Sequence, residues 1–141
     1  MAHATPTTAS AKRLVEGYSL EITGKEKDVV GLTEAASLIP AGTKVNVTFL
    51  GNEDLPMRVA AAKAVKELGF VPVPHISARR IASQAQLEEF LSALAEIGAT
   101  EHVFAVGGDP ATPEGPYPDA LTMIRSGVLQ QYGVKEVSIA G

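Results

Sequence analysis

His102-Val-Phe-Ala-Val-Gly-Gly-Asp-Pro110, running on to Gly115-Pro-Tyr-Pro-Asp119, decides how this chain is read. Residues 103–106 are apolar with a valine at each end, the pattern of a short buried strand. The strand gives way to two glycines, a carboxylate and a proline, then to a loop of prolines and small residues, then to an amphipathic segment at 119–125. A glycine pair lets a ligand approach the backbone closely, because no Cβ stands in the way. A carboxylate at the C-terminal tip of a parallel strand lies where α/β barrels place their active sites. The stretch therefore predicts a strand, a functional loop and a helix, in that order.

The same alternation extends outward. Residues 18–22 read as a first short strand and 29–39 as a helix with apolar positions at 29, 32, 36 and 39, stopped by Pro40-Ala-Gly42. Residues 44–50 form a second strand, and 55–68 a helix ended by Gly69. A third strand covers 71–77, where Pro72 and Pro74 each remove a ladder donor and predict a short or irregular element. The helix at 83–97 carries Leu87, Phe90, Leu91 and Leu94 on one face, a fourth helix runs from about 119 to 132, and 136–140 is a fifth strand. Strict alternation implies parallel strands joined by helical crossovers. An open doubly wound sheet would be complete in five strands, whereas a (β/α)8 TIM barrel takes about 250 residues. Length alone favours the open sheet.

At 141 residues the chain suits one domain with a real core. Its net charge is −4, with the basic residues scattered, which argues against a nucleic-acid partner needing a clustered basic face. No apolar run is long enough to predict a membrane span. The absence of cysteine excludes thiolate catalysis, disulfides and cysteine-held zinc. His3, His75 and His102 have no spacing that supports a metal site. Residues 1–17 are small and polar without a signal-peptide core and read as a disordered tail before a domain at 18–141, in a cytoplasmic protein.

The strand tips carry Ser19-Leu-Glu21, Val47-Thr48-Phe49, Pro74-His75-Ile76 and Gly107-Gly108-Asp109, with Tyr117 beyond. Together, over roughly residues 18–141, they resemble the methylenetetrahydrofolate reductase family. Its members carry a glutamate on the first strand, a Val-Thr-Tyr-like second tip, Pro-His-Leu on the third strand and Arg-Gly-Asp before a Pro-rich loop with a tyrosine. The resemblance implies a (β/α)8 TIM barrel, with this chain supplying about the first five strands. It implies an oxidoreductase of folate one-carbon metabolism that reduces methylenetetrahydrofolate to methyltetrahydrofolate, with hydride from NAD(P)H normally carried by FAD. Glu21 matches the general acid that opens the imidazolidine ring to an iminium. Asp109 matches the aspartate beside flavin and folate. Thr48, His75, Gly107, Gly108 and Tyr117 match cofactor-binding positions. The implied partner is a folate derivative, with no nucleic acid or membrane, and a homo-oligomer is compatible with it.

The chain departs from the family in three places. Glu21 is followed by Ile-Thr-Gly-Lys-Glu rather than Phe-Pro-Pro. Gly107 stands where the family has the arginine of Arg-Gly-Asp, a flavin contact, so a flavin-independent variant with direct transfer from NADH is a second form of the same reading. The sequence ends where the family continues into three more strands, which reads as a fragment of a longer protein. Two other functions compete: a non-redox pterin- or folate-binding barrel of methyltransferase type, and a small non-enzymatic α/β binding domain. Plainer roles stand beside the catalytic ones. Glu21 reads equally as a solvated strand residue, His75 as a structural histidine and Thr48 as a hydroxyl bonded to backbone. Residues 107–110 could be a tight turn with an Asx cap, and Tyr117 a loop anchor. Arg79 and Arg80 read as solvated arginines, with a phosphate clamp as the alternative.

Overall fold

A computed structural model describes residues 17–140. Apart from Gly17, the segment read as an N-terminal tail lies outside the described residues, as does His3. The elements are β1 (Ser19–Ile22), α1 (Glu26–Ala35), β2 (Lys44–Val47), α2 (Leu55–Glu67), β3 (Val71–Ser77), α3 (Gln84–Glu96), β4 (His102–Val106), α4 (Ala120–Arg125), α5 (Val128–Gln131) and β5 (Glu136–Ala140). All five strands are parallel and lie in one sheet in chain order, β1-β2-β3-β4-β5. This is the α/β fold with parallel strands that the alternation predicts.

Strand periodicity sorts the side chains onto two faces. Val45, Val47, Ile76, Val103 and Ala105 point to the helices and are fully or almost fully buried. They meet Leu32 of α1, Ala61 and Val65 of α2, Leu87, Phe90, Leu91 and Leu94 of α3, and Met123 and Leu129 beyond. Burying a Leu, Ile or Phe of this kind contributes roughly 1.5–3 kcal/mol. Successive helices touch: α1 packs on α2, α2 on α3, and α3 on α5. Side chains capture the starts of three helices, where backbone N–H groups lack helical partners. Asp54 accepts from Met57 N–H at 2.8 Å, Ser83 from Gln86 N–H at 3.1 Å and Asp119 from Thr122 N–H at 2.6 Å.

The opposite face is the polar one, carrying Glu21, Asn46, His75, Ser77, His102 and Ser138 in alternation with the core residues. Lys44 and Glu136 are the first residues of β2 and β5, three strand spacings apart, or about 14 Å in backbone terms. Their side chains nevertheless meet at 3.8 Å, reaching toward each other across this face.

Three local expectations are corrected. β3 is a regular seven-residue strand despite its prolines. Val71 N–H bonds Thr43 C=O at 3.0 Å on the β2 side, so by alternation the imide nitrogens of Pro72 and Pro74 face β4. The ladder to β2 loses nothing, and the ladder to β4 begins only at His75. The helix expected at 119–132 is broken into α4 and α5, because Gly127 adopts φ +80°, a left-handed geometry available to glycine at little cost. β2 ends at Val47 rather than residue 50, although Thr48 N–H still bonds Ile22 C=O at 3.0 Å.

Candidate functional site

The C-terminal ends of the strands enclose a pocket of about 260 Å³. Glu21 comes from β1, Thr48 to Gly51 follow β2, His75 and Ser77 come from β3, and Val106, Gly108 and Asp109 lie at the end of β4. Arg80 completes the lining from the 3-10 turn Ala78–Arg80. Five of the seven residues nominated from the sequence, Glu21, Thr48, His75, Gly108 and Asp109, therefore share one cavity. Gly107 and Tyr117 do not line it. Gly107 C=O accepts from Arg79 N–H at 2.9 Å, and the Tyr117 ring is buried in the helix-side core, its hydroxyl without a partner.

Two residues that line this cavity carry buried hydroxyls with nothing to bond. Ser77 is 2 % exposed and Thr48 9 %, and neither Oγ finds a hydrogen-bond partner. The expectation that Thr48 bonds to backbone is not met. A buried hydroxyl left unpaired costs about 1–3 kcal/mol, so such groups call for an explanation. Gly108 is what brings the β4 loop against Ser77. It sits at φ +101°, and a Cβ there would stand 2.2 Å from Ser77 Oγ.

The charged residues are paired. Arg80 Nε and Nη2 both donate to Asp109 Oδ1, at 3.0 and 2.6 Å, and Arg80 Nη1 lies 4.0 Å from Glu114. The guanidinium, by donating to Asp109, holds that carboxyl below the usual range. Arg80 is thus a pocket cation flanked by two carboxylates rather than a solvated arginine. Arg79 is not solvated either: its Nη2 donates to Ala111 C=O and its Nε is buried. Glu114 N–H bonds Arg79 C=O at 2.7 Å, latching the 107–119 loop to the turn after β3. A Cβ at Gly115 would stand 2.2 Å from Ile81 C=O, so the loop lies tight on that segment.

His75 has a defined tautomer. Asn46 Nδ2 donates to Leu20 C=O at 3.2 Å, which fixes the amide, so Asn46 Oδ1 must accept from His75 Nε2–H at 3.1 Å. Nδ1 is left as an acceptor. Burial pushes the His75 pKa below its ordinary value, against a smaller opposing pull from Glu21, so the ring is neutral at pH 7. Phe104 backs it, ring centroids 4.7 Å apart. Glu21 is exposed.

Around the pocket, a buried pair props up the loops after β1 and β2. Glu53 accepts from Gly24 N–H at 2.9 Å and lies 3.8 Å from Arg58 Nε. Arg58 in turn donates to Leu50 C=O and stacks 3.5 Å over the Phe49 ring. None of this was legible in the sequence, where no motif singles out Glu53 or Arg58. Ser77 was within reach, because it follows His75 by two on one strand and so shares its face. Arg80 was singled out only as a solvated arginine or a phosphate clamp, because its direction into the pocket depends on the 3-10 turn.

A scan of the chain against models of known protein families returns no match. Among the described residues no helix is long and apolar enough to cross a membrane.

Proposed function

We propose that this chain acts as a reductase resembling methylenetetrahydrofolate reductase, transferring hydride from NAD(P)H to the one-carbon unit of a folate. The observation that carries the reading is the convergence of Glu21, Thr48, His75, Gly108 and Asp109, from four successive strands, on one pocket. The finer architecture we assign is a (β/α)8 barrel. It is supported by a strand order without the reversal that doubly wound sheets make at their switch point, and by the reach of Lys44 to Glu136 across the polar face.

In this reading the ligand ring lies over Glu21 and His75. Glu21 is placed to give a proton to the ring nitrogen that leaves as the imidazolidine opens. Asp109, kept anionic by Arg80, favours the cationic iminium that results. Neutral His75 offers Nδ1 as an acceptor on a fixed plane. Hydride delivered to the iminium carbon completes the methyl group. The pocket falls just short of the ~300–1,000 Å³ that bury a drug-sized ligand, and its unpaired hydroxyls and bare Gly108 suit one heteroaromatic ring system. Thr48, His75, Ser77 and Gly108 would hold an isoalloxazine ring. A bound flavin would supply a two-electron relay between NAD(P)H and folate.

The decisive assay is NADH oxidation that depends on methylenetetrahydrofolate, run with and without FAD. Turnover is expected in at least one condition, with Glu21→Gln slowing it by about a hundredfold or more. No turnover in either condition would sink the proposal.

A further inference from the structure

We propose that Ser77 and Arg80, neither of which the family resemblance nominates, together hold a carbonyl oxygen of the ligand ring and select an uncharged ring carbonyl over a phosphate. The inference rests on the pocket being the reductase site, and it adds the chemistry of one wall.

Three observations lead to it. Ser77 lines the cavity, and its Oγ, buried beside Gly108, has no partner, so its hydroxyl proton is unspent. Arg80 spends Nε and Nη2 on Asp109, but Nη1 lies too far from Glu114 for a hydrogen bond, at 4.0 Å. Nη1 is also packed on bare backbone, since a Cβ at Gly51 would stand 2.4 Å from it. The cavity thus keeps donors from two neighbouring side chains, and their complement is an acceptor.

The charges decide which acceptor. Asp109 and Glu114 already flank Arg80, and Glu21 lines the same pocket. A phosphate would meet three carboxylates for one guanidinium that is already paired. A ring carbonyl takes the same two donors without that repulsion and leaves the Arg80–Asp109 pair in place.

The test uses lumiflavin and pterin as uncharged ring probes, inorganic pyrophosphate as the anionic one, and Ser77→Ala and Arg80→Met beside the wild type. The wild type should bind a ring probe more tightly than pyrophosphate, and each variant should weaken ring binding roughly three- to tenfold, the worth of one hydrogen bond. Ligand-free Ser77→Ala should melt no lower than the wild type, because it removes an unpaired hydroxyl. A purely structural serine would do the reverse. Ring binding that is unchanged in both variants, or a preference for pyrophosphate, overturns this inference while leaving the reductase reading intact. No ring binding by the wild type overturns both.

Discussion

The two ends of the sheet's polar face treat polar groups in opposite ways. At the starts of the strands, Lys44 meets Glu136, and His102 meets both Ser138 Oγ at 2.8 Å and Glu136 at 3.6 Å. At the strand tips, Thr48 and Ser77 are left without partners, a glycine at φ +101° keeps a side chain out, and a guanidinium retains an unspent donor. The strand starts pair most of their polar groups and leave His102 Nδ1 unbonded, whereas the tips leave two buried hydroxyls beside the cavity. Such asymmetry along one face separates a site from mere structure, and no single residue would reveal it.

The contrast can be broken at the tips first. Arg58→Met leaves Glu53 buried without its counter-charge and should cost about 3–5 kcal/mol by chemical denaturation. A loss below 1 kcal/mol would mean that the loops after β1 and β2 do not depend on that pair. Next in size is Gly108→Ala, which forces an L-residue into a left-handed geometry and drives a Cβ into Ser77 Oγ. It should destabilise by about 1–3 kcal/mol and abolish ring binding, and unchanged binding would show that the β4 loop does not shape the cavity.

The smallest effect is shared by both ends. Burial depresses the pKa of His75 and of His102, with Glu21 and Glu136 respectively opposing it and Lys44 adding to it at His102. Both histidines therefore resist protonation in the folded protein. The unfolded chain binds more protons as pH falls below about 6.5, so folding stability should decline there and be fully present above it. The midpoint of thermal unfolding, followed from pH 7 to pH 5, should drop, and His102→Asn should remove the N-terminal share of that drop. A flat profile in the wild type would contradict the burial of both rings.

Much of the fold could be read from the chain. The strands at 71–77, 102–106 and 136–140 have the expected bounds, because each carries β-branched residues and each of the helices before them ends at a glycine. The break at Gly127 was missed because the apolar positions on either side keep helical spacing, and only the backbone angle shows the interruption. Pro72 and Pro74 were over-penalised. Parity decides which neighbour loses a donor, and no composition rule carries parity. The site followed the same logic. Glu21 and His75 on strands, and Thr48, Gly108 and Asp109 just past strand ends, landed in the cavity. Tyr117, which lies in a loop, went into the core, and Arg80, which lies on a turn, came into the pocket.

The prolines of β3 leave a lasting mark on the sheet. Its first three strands and its last two are stitched by backbone donors only over His75–Ser77, right beside the cavity, and hardly at all toward the strand starts. A sheet joined this way folds like a page creased along one line. The open end of the crease lies away from the cavity, while the stitched end brings Ser77 against Gly108.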